Sequence, residues 1–107
     1  MKQHVIYVGL NDSETHDQRF DTEKYRSILK TVCRSYKAAF SMHTVDGSYF
    51  HDDGTYVNET TLVLTMFGAD DGTVQEIAKD LCAFFHQESV MVTSAPTEAV
   101  FVRNRIG

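Results

Sequence analysis

Apolar positions along the chain follow two different periods. His4 to Leu10 (His-Val-Ile-Tyr-Val-Gly-Leu) is short, β-branched and aromatic, the make-up of a buried central strand. Polar residues take over from Asn11 to Phe20. Asp21 or Thr22 then caps a helix whose apolar residues Tyr25, Ile28, Leu29, Val32, Cys33 and Tyr36 recur at the spacing of a single face. From Ser41 the period becomes that of a strand, over Ser41 to Asp52 and again over Thr55 to Phe67, with Asp53-Gly54 between them. Asp-Gly between two extended runs predicts a hairpin, because both residues tolerate the positive φ of a type I′ turn.

With Asp53 and Gly54 as a two-residue turn, Val45 faces Leu62, Tyr49 faces Asn58 and Ser48 faces Glu59. That register gathers Val45, Leu62, Leu64 and Met66 on a core face, and Asp46, Ser48, Glu59, Thr61 and Thr65 on the other. After the break Ala69-Asp70-Asp71-Gly72, a capping box Thr73-x-x-Glu76 opens a second amphipathic helix carrying Val74, Ile77, Ala78, Leu81, Cys82 and Phe85. Glu88 to Ser94 reads as a fourth strand, Ala95-Pro96 as a break, and Glu98 to Arg103 as a short final strand or tail.

The order βαββαβ(β), with one-sided helices and one-sided strands, is satisfied when both helices cover one face of an antiparallel sheet. The expected fold is therefore α+β, a ferredoxin-like α/β plait of order 4-1-3-2, occupying residues 1–107 as one domain. Its uncovered face is expected to carry Met42, Phe50, Val57, Val63 and Phe67, too apolar for exposure, which predicts a homo-oligomer, a dimer or trimer.

Charge narrows the partners. Ten Lys and Arg stand against 15 Asp and Glu, a formal net charge of −5, and no basic cluster is dense enough to grip phosphate backbones or anionic membranes. Neither nucleic acid nor a membrane is an expected partner. No apolar run approaches the roughly 18 residues that span a bilayer, so a cytoplasmic location is expected. Cys33 and Cys82 both fall on apolar helix stripes and read as buried thiols.

The segment Gly47-Ser48-Tyr49-Phe50-His51-Asp52-Asp53-Gly54-Thr55-Tyr56-Val57-Asn58-Glu59, running into Thr60 to Thr65, resembles the hairpin of CutA and other PII-like plait proteins. There too an aromatic-rich strand, a turn and a Glu-led apolar strand follow in that order. The passage Phe85-His86-Gln87-Glu88-Ser89-Val90 is similar to small uncharacterised bacterial plait proteins. The chain departs from CutA in lacking its N-terminal cysteine segment and the lysine after the third strand, and from PII proteins in lacking the long basic loop that holds nucleotide phosphates. The resemblance implies a fold and an oligomeric habit.

In a 4-1-3-2 sheet the end of the first strand, the hairpin and the start of the fourth strand share one edge. His16, His51 and His86 are then candidate ligands of a divalent metal, provided the hairpin curls inward, since the outer strands stand about 14 Å apart. Tyr7, Ser48 and Glu59, with Asp46 nearby, form a second candidate on the uncovered face, and Gln87 and Glu88 join the loop rim. A carboxylate on a half-apolar sheet either binds donor groups of a ligand or serves as a general base. The bland alternatives are solvated loop histidines and a cross-strand polar pair. Arg19 and Lys24 beside the first helix are likewise either an anion site or an ordinary capped end.

No Ser/His/Asp signature, phosphate loop or zinc-spaced cysteine pair is present. The leading expectation is therefore a small oligomeric binding or regulatory module that takes a small ligand or a protein through the open face and loop rim. An enzyme using Glu59 or a rim histidine as base is the alternative, and an acidic interaction or inhibitor protein of phage or mobile-element origin is a third.

Overall fold

In the computed structural model, which describes residues 1–106, the first apolar run becomes β1 (Lys2–Gly9). It is followed by α1 (Thr22–Ser35), β2 (Ser41–Phe50), β3 (Tyr56–Phe67), α2 (Asp71–Phe84) and β4 (Met91–Pro96). All pairings are antiparallel, in the order β2-β3-β1-β4, the expected plait order counted from the other edge. β1 and β3 alternate strictly, so Ile6, Val8, Leu62, Leu64 and Met66 all point to one side and are fully buried there. Tyr25, Leu29, Val32 and Cys33 of α1 and Val74, Ile77, Ala78 and Leu81 of α2 close over them in one cluster. Each such buried aliphatic side chain stabilises the fold by about 1.5–3 kcal/mol.

His4 sits among these residues on the inner face of β1. Its Nδ1 lies 2.6 Å from Ser94 Oγ and its Nε2 3.2 Å from the Ala69 carbonyl oxygen, so both ring nitrogens are satisfied. The Tyr36 hydroxyl donates to Asp80 Oδ2 at 2.7 Å and joins the two helices. Both helices end on a non-glycine residue in the left-handed region, Lys37 at φ 54° and His86 at φ 53°.

Helix α2 starts differently from its expected signature. Asp70, not Thr73, is the cap, accepting from the Thr73 backbone N–H at 2.8 Å and from the Thr73 hydroxyl at 2.9 Å. A carboxylate one turn earlier outcompetes the hydroxyl for the free N–H groups of the first turn. The fourth strand starts three residues later and ends two residues later than expected, and it includes Pro96, which an edge strand tolerates. Residues 98–103 form no strand.

The hairpin register is the main correction. His51 N–H donates to the Thr55 carbonyl at 2.9 Å and Gly54 N–H to the His51 carbonyl at 2.9 Å, with Gly54 at φ 87°. This is a three-residue loop, Asp52-Asp53-Gly54, in which a type I turn ends on a left-handed glycine. Ser48 therefore pairs with Asn58, Tyr49 with Val57, and Gly47 with Glu59. One residue of slip exchanges the faces of β2. Val45 moves to the uncovered face, whereas Met42 packs against the core and Asp46, Ser48 and Phe50 take the helix side. Val57, Val63 and Phe67 do lie on the uncovered face, with Val5, Tyr7 and Val45 beside them. Among the described residues no helix is long and apolar enough to cross a membrane.

Candidate functional site

The end of β1, the hairpin and the start of β4 meet at one edge, and there the surface opens into a cleft of about 1010 Å³. Its wall begins with the loop that follows β1. The Asp12 carboxylate accepts from the backbone N–H groups of Glu14 (2.8 Å) and Thr15 (3.1 Å) and folds the loop on itself. The Asn11–Gln18 bridge closes its base. Those two N–H donors, with lesser help from Arg19 and His86, hold the Asp12 carboxyl below the usual carboxylate range against a smaller opposing effect of burial. Gln87 Nε2 donates to the Asn11 carbonyl at 2.6 Å, and Ser13 N–H to the His86 carbonyl at 3.0 Å, which fastens the loop to the end of α2.

Glu59 forms the floor. It is half-buried on the uncovered face, and its Oε2 accepts from Asn11 N–H at 3.1 Å. Its β2 neighbour is Gly47, and on the β1 side its carboxylate lies over Gly9, where an added Cβ would stand 2.5 Å from Glu59 Cδ. Gly9 thus gives the carboxylate room to lie along the sheet, while the missing side chain at Gly47 leaves space for Thr61 Oγ1. Tyr49, two residues along β2 from Gly47, has its phenol pushed up from the ordinary value by burial and by the negative charge of Glu59.

From Tyr49 a row of rings crosses the rim. The Tyr49 and His51 rings meet edge-on at 5.4 Å between centroids, and His51 and His16 at 5.9 Å. The hairpin therefore does curl toward the first loop. Asp12, Asp53, Glu59 and Glu88 line the cleft, and no Lys or Arg does.

Tyr7, Glu59, Gln87 and Glu88 all line the cleft, as do His16 and His51. Ser48 does not, because the register turns it to the helix side, where its hydroxyl donates to Asn58 Oδ1 at 2.8 Å. His86 does not line it either; its left-handed backbone terminates α2 and its carbonyl holds Ser13. Among the described residues no three His, Cys, Asp or Glu side chains come together as a metal would need. Sequence reasoning overlooked Asp12, Gly9, Gly47 and Tyr49 as parts of this site. The Asn-Asp-Ser run after a strand is an Asx-turn signal, and a glycine inside each of two strands marks close approach by another group.

The chain belongs to the family described as "Protein of unknown function (DUF3574)", whose model matches residues 3–101. No curated protein matches it. Among solved structures it is similar to a phage SAM lyase in complex with S-methyl-5′-thioadenosine, at 23% identity and a TM-score of 0.69 over 88% of this chain and 79% of that one. The PII-like protein CutA from Nostoc is 13% identical with a TM-score of 0.58, over 92% and 82% of the two chains. A DUF3240 family protein from Shewanella baltica is 8% identical with a TM-score of 0.57, over 96% and 97%. These likenesses show a shared ferredoxin-like fold.

Proposed function

For this DUF3574 chain we propose a binding function centred on Glu59, with a small adenine-nucleoside thioether or sulfonium, S-adenosylmethionine foremost, as the ligand. The observation that carries it is the sign of the cleft: four carboxylates line it and no Lys or Arg does. A nucleotide di- or triphosphate would bring its negative charge against those carboxylates, of which Asp12 alone has a neighbouring cation, Arg19 at 3.6 Å. A sulfonium brings the opposite charge to the Glu59 floor. Tyr7 and Tyr49 offer flat apolar surface to a purine, and Asn11 and Gln87 supply edge hydrogen bonds. The likeness to a SAM lyase bound to S-methyl-5′-thioadenosine supports the same ligand class. The scaffold that presents the cleft is a small homo-oligomer, since half-exposed Tyr49, Phe67 and Met91 interrupt the uncovered face with apolar surface.

A second reading, that the cleft also cleaves its ligand, is favoured by the same likeness. When the carbon–sulfur bond of a sulfonium breaks, sulfur keeps the bonding pair and leaves as a neutral thioether. In such an elimination the C–H bond beside the departing sulfur supplies the electron pair of a new C=C bond, and in this reading Glu59 steadies the cation and accepts that proton.

Calorimetric titration with S-adenosylmethionine, S-methyl-5′-thioadenosine and ATP tests the binding reading, and chromatography of the S-adenosylmethionine mixture tests cleavage. The expected order has the sulfonium tightest and ATP weakest, with Glu59→Gln losing most of the preference for the cation. ATP binding as tightly as the sulfonium, or no effect of Glu59→Gln, would overturn the binding reading. Appearance of S-methyl-5′-thioadenosine that depends on Glu59 would establish the second.

A further inference from the structure

Two features of the chain lack a partner, and they are complementary. The first is the segment after β4. Glu98-Ala99-Val100-Phe101-Val102-Arg103 has the composition of a strand, yet its last backbone tie to the rest of the fold is Thr97 N–H to the Met1 carbonyl at 2.8 Å. Val100, Phe101 and Val102 are 85%, 86% and 91% exposed. Three consecutive apolar residues point alternately to opposite sides of a strand, which is the pattern of a strand covered on both faces, not of a solvated tail.

The second is β2. It is an edge of the sheet, ten residues long, and its outer side makes no backbone hydrogen bond among the described residues. Proteins commonly blunt such an edge with lysine, proline or a bulge. β2 has none of these: it pairs continuously with β3 from Ser41 to Phe50, and no Lys or Arg occurs between Lys37 and Lys79. The other edge, β4, is six residues long and ends in Pro96.

We propose that residues 98–106 of one copy add as a fifth strand to the free edge of β2 in a second copy of the same chain. Backbone hydrogen bonds satisfy the outer row of β2, as in other cases of strand addition. Val100 and Val102 fall on one side of the extended sheet and Phe101 on the other. Charge agrees with this pairing. The arm carries Arg103 and Arg105 against the single acid Glu98, whereas β2 and its turn carry Asp46, Asp52 and Asp53 and no Lys or Arg of their own, the nearby cation being Arg26 of α1, which donates to Thr44 Oγ1 at 2.8 Å. The arm leaves from β4, at the opposite edge of its own sheet from β2, so donor and acceptor are separate surfaces of one chain. Two copies can exchange arms, or several can close a ring. This inference does not rest on the ligand reading, and its readout is mass, not ligand affinity.

Light scattering at tens of micromolar tests it on the full chain, on a chain ending at Thr97, and on Phe101→Asp, with circular dichroism confirming that each is folded. The full chain should run as a multiple of its 12.1 kDa mass, and both variants should shift to the monomer or weaken assembly at least tenfold. Asp46→Cys in one chain and Asn104→Cys in another should form a mixed disulfide on combining, faster than Asn104→Cys does with Thr93→Cys. A monomeric full chain, unchanged mass in the folded variants, or equal trapping at β4 would overturn the proposal.

Discussion

The carboxylate of Glu59 rests on the backbone of Gly9, a residue of the neighbouring strand that has no side chain to obstruct it. The contact is close enough that Gly9→Ala cannot be accommodated without moving Glu59. Because the colliding atoms are the end of a flexible, half-buried side chain, the cost is about 1 kcal/mol, chiefly the hydrogen bond from Asn11 N–H that Glu59 gives up when it moves. Most of that loss should disappear when Gly9→Ala is made in a Glu59→Ala background. Urea unfolding of the two single variants and the double variant gives the coupling directly. Additive losses would mean that the alanine collides with something other than the carboxylate.

Acid should destabilise the protein through three aspartates that do the same job. Asp12, Asp53 and Asp70 are all held below the ordinary carboxylate value, chiefly by backbone N–H groups of Glu14 and Thr15, of Thr55, and of Thr73 respectively. A carboxyl depressed in the folded state contributes stability that is complete above its unfolded value, near 3.9, and is lost as pH falls through the lower folded value. Stability measured from pH 6 down to 2 should therefore drop mainly below pH 4. Asp12→Asn should flatten that drop while lowering stability at neutral pH.

Lys37 terminates α1 in a backbone region that costs a side-chain-bearing residue about 1 kcal/mol and costs glycine almost nothing. Lys37→Gly is accordingly expected to raise stability by up to about 1 kcal/mol, read as an upward shift of the melting midpoint. A fall would show that the lysine side chain has a stabilising contact of its own.

Burial pushes the Cys33 thiol up to about 11. At pH 8 the native protein should hold that residue as an unreactive thiol. Iodoacetamide followed by mass mapping should modify Cys33 only after denaturant is added. Labelling of native protein at the rate of a free thiol would contradict its place in the core.

The elements that were legible from sequence owe it to strong periodicity. Tyr25, Leu29, Val32 and Cys33 mark one side of α1 so plainly that no competing element suits them. His16, His51 and Gln87 could be placed at one edge because the strand order fixes where loops emerge, and Tyr7 and Glu59 on the uncovered face because side chains alternate along β1 and β3. Ser48 could not. Its side depends on whether Asp52 belongs to the strand or to the turn, and that is decided by hydrogen bonds at His51, Asp53 and Gly54, not by any pattern of apolar residues. β2 itself offers little guidance, since Val45 and Met42 lie on opposite faces and both are half-buried. Gly9 and Asp12 matter through backbone contacts across the fold, which a linear pattern does not display.

The three-residue turn Asp52-Asp53-Gly54 also constrains how relatives of this chain can vary in length. Removing one residue would leave a two-residue turn and rotate every β2 side chain to the opposite side of the sheet, bringing Ser48 toward Glu59 and turning Tyr49 and Val45 to the helices. Removing or adding two residues preserves the sides. Viable descendants should therefore gain and lose hairpin residues in even numbers, or pair a single insertion with a compensating bulge, so parity of loop length becomes an inherited property of the cleft.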